Sequence, residues 1–206
     1  MGSSRPRNAA GTREAILQSA IRHFALSGYD GVGVREIARD AGVTAMLVNR
    51  YFGSKEQLFA EAVETSFAPP TIVAEQPDAL ARDAATALVE RSDPDADPLE
   101  PFLIMLRSVS NPAAVNIVRD AIARHVGQRL ARQLPEPGRQ LRTDAMLSVM
   151  SGVLLMRRVM RSPGLTDCDT DQLTDLFERL FATIIDADVA ETRPAQRASI
   201  RSRKRS

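Results

Sequence analysis

Residues 34–58, VREIARDAGVTAMLVNRYFGSKEQL, decide the reading of this chain. Ile37, Ala38 and Ala41 recur at helical spacing and give a first short helix one apolar face, while small Ala38 leaves room for a second helix to cross closely. Gly42 follows directly. A glycine just past the last helical residue can take the left-handed conformation that ends a helix without a Cβ clash. Val43 then serves as an apolar plug, and Thr44 has the chemistry to cap the next helix. That helix turns Leu47, Val48 and Phe52 inward and Ala45, Met46, Asn49 and Arg50 outward. Two short helices joined at a glycine in this way have the layout of a helix-turn-helix, whose second helix can enter the major groove of DNA.

Working outward, residues 1–11 are small, polar and Arg-bearing and read as a flexible arm. Thr12 can cap a helix running to about Ser27, with Ile16, Leu17, Ala20, Ile21 and Phe24 on one face. Downstream, Ser54 with Gln57 three residues later makes a capping box for a fourth helix, and Leu58, Phe59, Ala62, Val63 and Phe67 supply its apolar stripe. The prolines of FAPPT stop it.

At this point the segment from about Thr12 to Val63 resembles the DNA-binding head of the tetracycline-repressor (TetR) family. The specific elements are the helix end from Phe24 to Gly28 with Tyr29 after it, Ile37-Ala38, Ala41-Gly42-Val43, and above all Tyr51-Phe52-Gly53-Ser54-Lys55-Glu56. The resemblance implies a homodimeric, one-component regulator without a cofactor, usually a repressor, whose helical body binds a small molecule. Carried over by position, it implies DNA contacts at Gly33, Thr44, Ala45, Met46, Asn49, Arg50 and Tyr51, with a phosphate held by Lys55. The residues have fitting chemistry: Asn49 can bond adenine bidentately, Arg50 can reach guanine or phosphate, and Met46 can touch a thymine methyl. Gly33 replaces the family's usual hydroxyl residue before the second helix, Asn49 its common tyrosine, and Met46 a smaller residue. Those departures change which operator is read.

The remaining sequence predicts an all-α protein of about nine helices, with a head over residues 12–67, a ligand-binding and dimerisation body over 68–190, and a disordered basic tail over 191–206. Helices are expected from about Asp78 to Arg91, over PFLIMLRSV, from about Pro112 to Leu134, from about Arg139 to Arg161 and from about Asp171 to Ala187. A mostly apolar pocket among helices four to seven draws candidate ligand residues from Phe59, Phe67, Phe102, Met105, Leu106, Arg107, His125 and Met146. The helix around Met146 to Met156 is apolar nearly all round, so one chain's core covers it on one side only. Paired with the last helix and their twofold copies, it predicts a four-helix dimer interface through Met146, Met150, Val153, Leu154, Phe177, Phe181 and Ile184.

Composition excludes several other classes. Net charge is only +1, so wholesale electrostatic binding of nucleic acid is not expected, although the first 55 residues carry eight basic side chains against four acidic ones. The lone Cys168, between two aspartates, rules out an intrachain disulfide and a cysteine-built zinc site. No glutamate has a histidine three residues on, and His23 and His125 are the only histidines, which leaves no di-iron pair, catalytic triad or other metal site. An enzyme is not expected. No apolar run is long enough to span a membrane and the first residues lack a signal-peptide pattern, so a cytoplasmic protein is expected. The competing reading is a dimeric helical interaction protein with a decayed DNA reader.

Overall fold

The computed structural model describes residues 5–68, 79–96 and 99–189. Among them every regular element is helical. The head contains α1 (Arg5–Ser27), α2 (Val34–Asp40), α3 (Ala45–Phe52) and α4 (Lys55–Phe67). The body contains α5 (Leu80–Ser92), α6 (Glu100–Ser108), α7 (residues 112–131), α8 (residues 139–159), the single turn α9 (Pro163–Thr166) and α10 (Thr170–Asp186). Both α7 and α8 include a π-helical turn, at Ala123–Gly127 and Leu155–Val159.

Helix starts follow side-chain capping. The hydroxyls of Thr44 and Ser54 accept from the amides of Leu47 (3.3 Å) and Gln57 (3.1 Å). Asn111 accepts from Ala114, and Asp169 from Asp171 and Gln172. One boundary differs from the sequence expectation: α1 begins at Arg5, so Thr12 lies inside the helix and residues 5–11 of the expected arm are already helical. Proline is tolerated in a first helical turn, where its missing amide has no partner to lose, and Ala9 and Ala10 favour helix. Gly11 costs about 1 kcal/mol relative to alanine, too little to break the run. The basic tail at 191–206 lies outside the described residues.

Two apolar cores form, and they do not follow the chain boundary near residue 67. The first gathers the inner faces of α1 to α4 with Ile104 of α6 and Ala114, Val118 and Ala121 of α7. Phe59 sits at its centre, edge-on to both Phe24 and Tyr29 at centroid distances of 4.9 Å. The second gathers α5, α8 and α10 with Leu130 and Leu134. Full burial of each such apolar side chain contributes roughly 1.5–3 kcal/mol.

The dimer expectation needs correction here. Met146 and Phe181 are wholly buried within the single chain, and Met150, Val153 and Phe177 nearly so, while Leu154 and Ile184 are half-buried against the same core. The wide apolar stripes of α8 and α10 are used first to hold α5. What these helices leave exposed is a different set: Leu141, Met156 and Val159 on α8, and Leu176 and Leu180 on α10.

Candidate nucleic-acid interface and cavity

The turn between α2 and α3 closes as the sequence requires. Gly42 has φ +67°, its amide donates to Arg39 O and that of Val43 to Ala38 O, which together end α2 in a left-handed cap. At the start of α2 the Gly33 amide donates to Glu36 Oε2 at 2.7 Å, half of a capping box that glycine has no side chain to complete. Polar contacts then fix the motif against the rest of the head. Buried Ser19 of α1 donates to Ile37 O (3.0 Å) and Asp40 Oδ2 (2.7 Å), and Arg22 reaches the same carboxylate at 2.8 Å. Arg13 bridges to Glu61 of α4 at 2.6 Å while lying 4.6 Å from the centroid of the Phe52 ring.

With α3 so held, Thr44, Met46, Asn49 and Arg50 are exposed, Met46 to 80%. Ala45 and Tyr51 are half-buried against the first core, so Ala45 is not the fully outward residue expected. Lys55 opens α4 with its ammonium 4.6 Å from the Tyr29 ring centroid. Burial first, then the nearby charges of Glu56 and Asp30, raise the Tyr29 pKa above its ordinary value, so the ring that receives the lysine stays neutral.

A cavity of about 810 Å³ lies between the two cores. Ser66 and Phe67 of α4, Phe102 and Met105 of α6, and Ile122 and Val126 of α7 wall it on one side, and Leu147, Met150, Ser151 and Leu154 of α8 on the other. Of the sequence candidates, Phe67, Phe102 and Met105 line it. Phe59 and Met146 are instead centres of the first and second cores. Leu106 does not line it, and Arg107 donates to Ala25 O at the end of α1. His125 contacts Glu64 of α4. Sequence reasoning missed Glu90, Arg91, Asp144 and Ser148, which also line the cavity, because polar residues amid helical sequence carry no mark of facing inward. Among the described residues no group of three candidate ligands gathers for a metal.

Two joints tie this cavity to the head. At the first, α6 meets the end of α1 so closely that a Cβ on Gly28 would stand 2.1 Å from Arg107 O, and Gly28 also has φ +71°. The Tyr29 amide donates to Ser108 Oγ at 3.1 Å, and Asn111 Nδ2 donates to Asp30 at 2.9 Å. At the second, Arg124 and His125 of α7 hold Glu64.

The helix-turn-helix with a helical body behind it agrees with two family models. One, described as bacterial regulatory proteins of the tetR family, matches residues 16–62, and a tetracyclin repressor-like C-terminal domain matches residues 78–185, over half the chain. The chain belongs to the TetR family. Its curated relatives include the HTH-type transcriptional regulator BetI of Agrobacterium fabrum, 37% identical over 82 residues, or 40% of this chain and 35% of that one. BetI of Rhizobium meliloti is 42% identical over 53 residues, covering 26% of each chain. The matched stretch thus spans about a third or less of these relatives' length.

Among solved structures, a TetR-family regulator from Streptomyces coelicolor A3 is 27% identical with a TM-score of 0.53, covering 89% of this chain and 99% of that one. EbrR, a multidrug binding protein complexed with ethidium, has a TM-score of 0.64 at 22% identity, covering 85% and 99%. NalD of Pseudomonas aeruginosa, the secondary repressor of the MexAB-OprM efflux pump, has 0.60 at 21%, covering 84% and 96%. The last two likenesses are of fold. The tetR-family model thus covers the helix-turn-helix, and the tetracyclin repressor-like model covers the body.

Proposed function

We propose that this chain is a homodimeric transcriptional repressor that binds an inverted-repeat operator and releases it when a small, mostly apolar molecule occupies the cavity. The observation that carries the reading is the outer face of α3, where Thr44, Met46, Asn49 and Arg50 stand exposed on a helix that follows α2, itself fixed to α1 through Ser19, Arg22 and Asp40. A decayed reader has no need of that face. Asn49 and Met46 read bases, Arg50 reads a base or phosphate, and Thr44, Tyr51 and Lys55 position the backbone. The dimer forms through Leu141, Met156 and Val159 of α8 and Leu176 and Leu180 of α10, the apolar residues those helices leave uncovered. A chromosomal target places the protein in the cytoplasm.

The cavity's size is that of a drug-sized ligand site. Its mostly apolar wall favours a hydrophobic or aromatic molecule, with Glu90, Arg91 and Asp144 supplying charges of both signs at its edge. EbrR, crystallised with ethidium, offers a precedent for such a ligand.

Selection of bound sites from random duplexes tests the DNA reading. A twofold-symmetric sequence should be enriched, and failure to enrich any sequence overturns the reading. On the selected operator, Asn49→Ala should cost about 1–3 kcal/mol and relax one base pair per half-site, whereas Lys55→Ala should weaken all sequences alike and lower the salt slope by about one.

A further inference from the structure

The second joint between cavity and head is built from residues that do not line the cavity, yet each lies within three residues of its wall. Glu64 lies near the end of α4, and Ser66 and Phe67 just after it line the cavity. Across from it, Arg124 and His125 lie in the π-helical turn Ala123–Gly127, bracketed by Ile122 and Val126, which line the same cavity. Arg124 Nη1 stands 2.9 Å from Glu64 Oε2 and 3.0 Å from Oε1, and His125 Nε2 meets Oε1 as well. Both carboxylate oxygens are therefore engaged by one turn of α7. A π turn inserts one extra residue, rotating the helix register by about 100°, and such turns recur at functional sites.

We propose that Glu64, Arg124 and His125 form a latch that passes cavity occupancy to the DNA-reading head, a mechanism that rests on the repressor reading above. With the latch closed, α4 is fixed to α7, and the opposite end of α4 carries Ser54 and Lys55 beside α3. A molecule seated among Phe67, Ile122 and Val126 separates the end of α4 from the π turn and strains the same contacts from both sides. The fastening behind it is already incomplete. Arg129 donates to Ala68 O at 3.2 Å through one nitrogen, while its Nη1 is buried without a partner. Glu64 and Arg124 are each partly solvated, so their attraction is weak enough for a small ligand to overcome. The closed state is the operator-binding state, and by linkage it is the state that binds ligand less well.

Glu64→Gln and Arg124→Met, singly and together, test the latch in the full-length protein. Two affinities are measured: for the selected operator, and for Nile red as an uncharged fluorescent probe of the cavity without DNA. Glu64→Gln should weaken operator binding about 5- to 20-fold and tighten Nile red binding, with helicity and dimerisation retained. The direction is diagnostic, because removing a negative charge by itself strengthens binding to DNA. Arg124→Met should do the same, the double variant should be no worse than either single one, and Arg124→Lys should recover part of the loss. Melting temperatures that fall while both affinities stay at wild-type values would overturn the latch and leave Glu64 a structural residue. Wild-type protein that binds neither operator nor dye would instead overturn the repressor reading, and the latch with it.

Discussion

The first core is aromatic and aliphatic throughout, with no buried charge among the described residues, whereas the second is fastened by two buried arginines at opposite ends of α8. Arg157 donates to Val89 O (2.6 Å), Ser92 Oγ (3.0 Å) and Leu165 O (3.0 Å), and no described carboxylate lies within ion-pair reach. Arg142 donates to Ala187 O at 2.6 Å and to the carbonyls of Pro135 and Pro137. These arginines serve the carbonyls that helix ends leave without partners, and so peg α5 and α10 to α8. Directional bonds of this kind hold the second core in one arrangement. Around the first core the fully buried side-chain donor is a serine, Ser19, which reaches Ile37 O, and the arginine that serves a helix-end carbonyl, Arg107 to Ala25 O, is itself exposed. The cavity therefore lies at the seam between a core pegged by buried arginines and one closed mainly by apolar contacts.

The largest expected effect separates two neighbouring residues of α10. Phe181 is fully buried, so Phe181→Glu places a charge in the second core and should cost more than about 5 kcal/mol, enough to unfold the body. Leu180 is 40% exposed, and Leu180→Glu should leave the fold intact while abolishing the dimer and operator binding. Circular dichroism with analytical ultracentrifugation distinguishes the outcomes. A folded Phe181→Glu monomer would mean that the second core does not depend on burying this ring.

Next in size is Phe59→Ala, which removes the ring shared by Phe24 and Tyr29 and should cost about 3–5 kcal/mol. If the cores open separately, amide exchange should speed up in α1 to α4, α6 and the first half of α7 while α5, α8 and α10 keep their protection. Uniform acceleration would merge the two cores into one cooperative unit.

Arg157→Ala should cost roughly 3 kcal/mol, the loss of charged hydrogen bonds to groups that stay buried. Here exchange should rise in α5 and around Leu165 first. Protection lost first in the head would break the contrast between the cores.

How much of this was legible in the sequence follows from where the determinants lie. The head was readable because its signals are local: a cap at Thr44, a left-handed glycine at position 42, a second cap at Ser54. Helices of the body were readable for the same reason. Their partners were not. The stripe through Phe177 and Phe181 looks the same in sequence whether it meets α5 of its own chain or a second copy, and only the packing decides. The cavity candidates divided likewise, since Phe59 and Phe67 lie on one helix stripe, yet one is at the centre of a core and the other beside a void. The latch depends on a π turn that nothing in ARHVG announces, and on an ion pair between residues sixty positions apart.

The smallest effect concerns the polar fastening between α1 and α2. The hydrogen bond from Ser19, and then the Arg22 guanidinium, hold the Asp40 carboxyl below its ordinary pKa, with His23 Nε2 a further 3.7 Å neighbour of the same oxygen. A carboxylate lowered on folding contributes stability that is fully present above its unfolded pKa, near 3.9, and is lost as pH falls through the lower folded value. Urea midpoints should therefore drop more steeply below about pH 4 in the wild type than in Asp40→Asn, with the two curves parallel above it. Asp40 is exposed, so the difference should be small, yet it reports on the bond that orients α2 beneath the reading helix. Parallel curves throughout would mean that Ser19 and Arg22 do not hold Asp40 in solution, leaving α2 fixed by the apolar contacts of Ile37 and Ala38 and by Ser19 on Ile37 O.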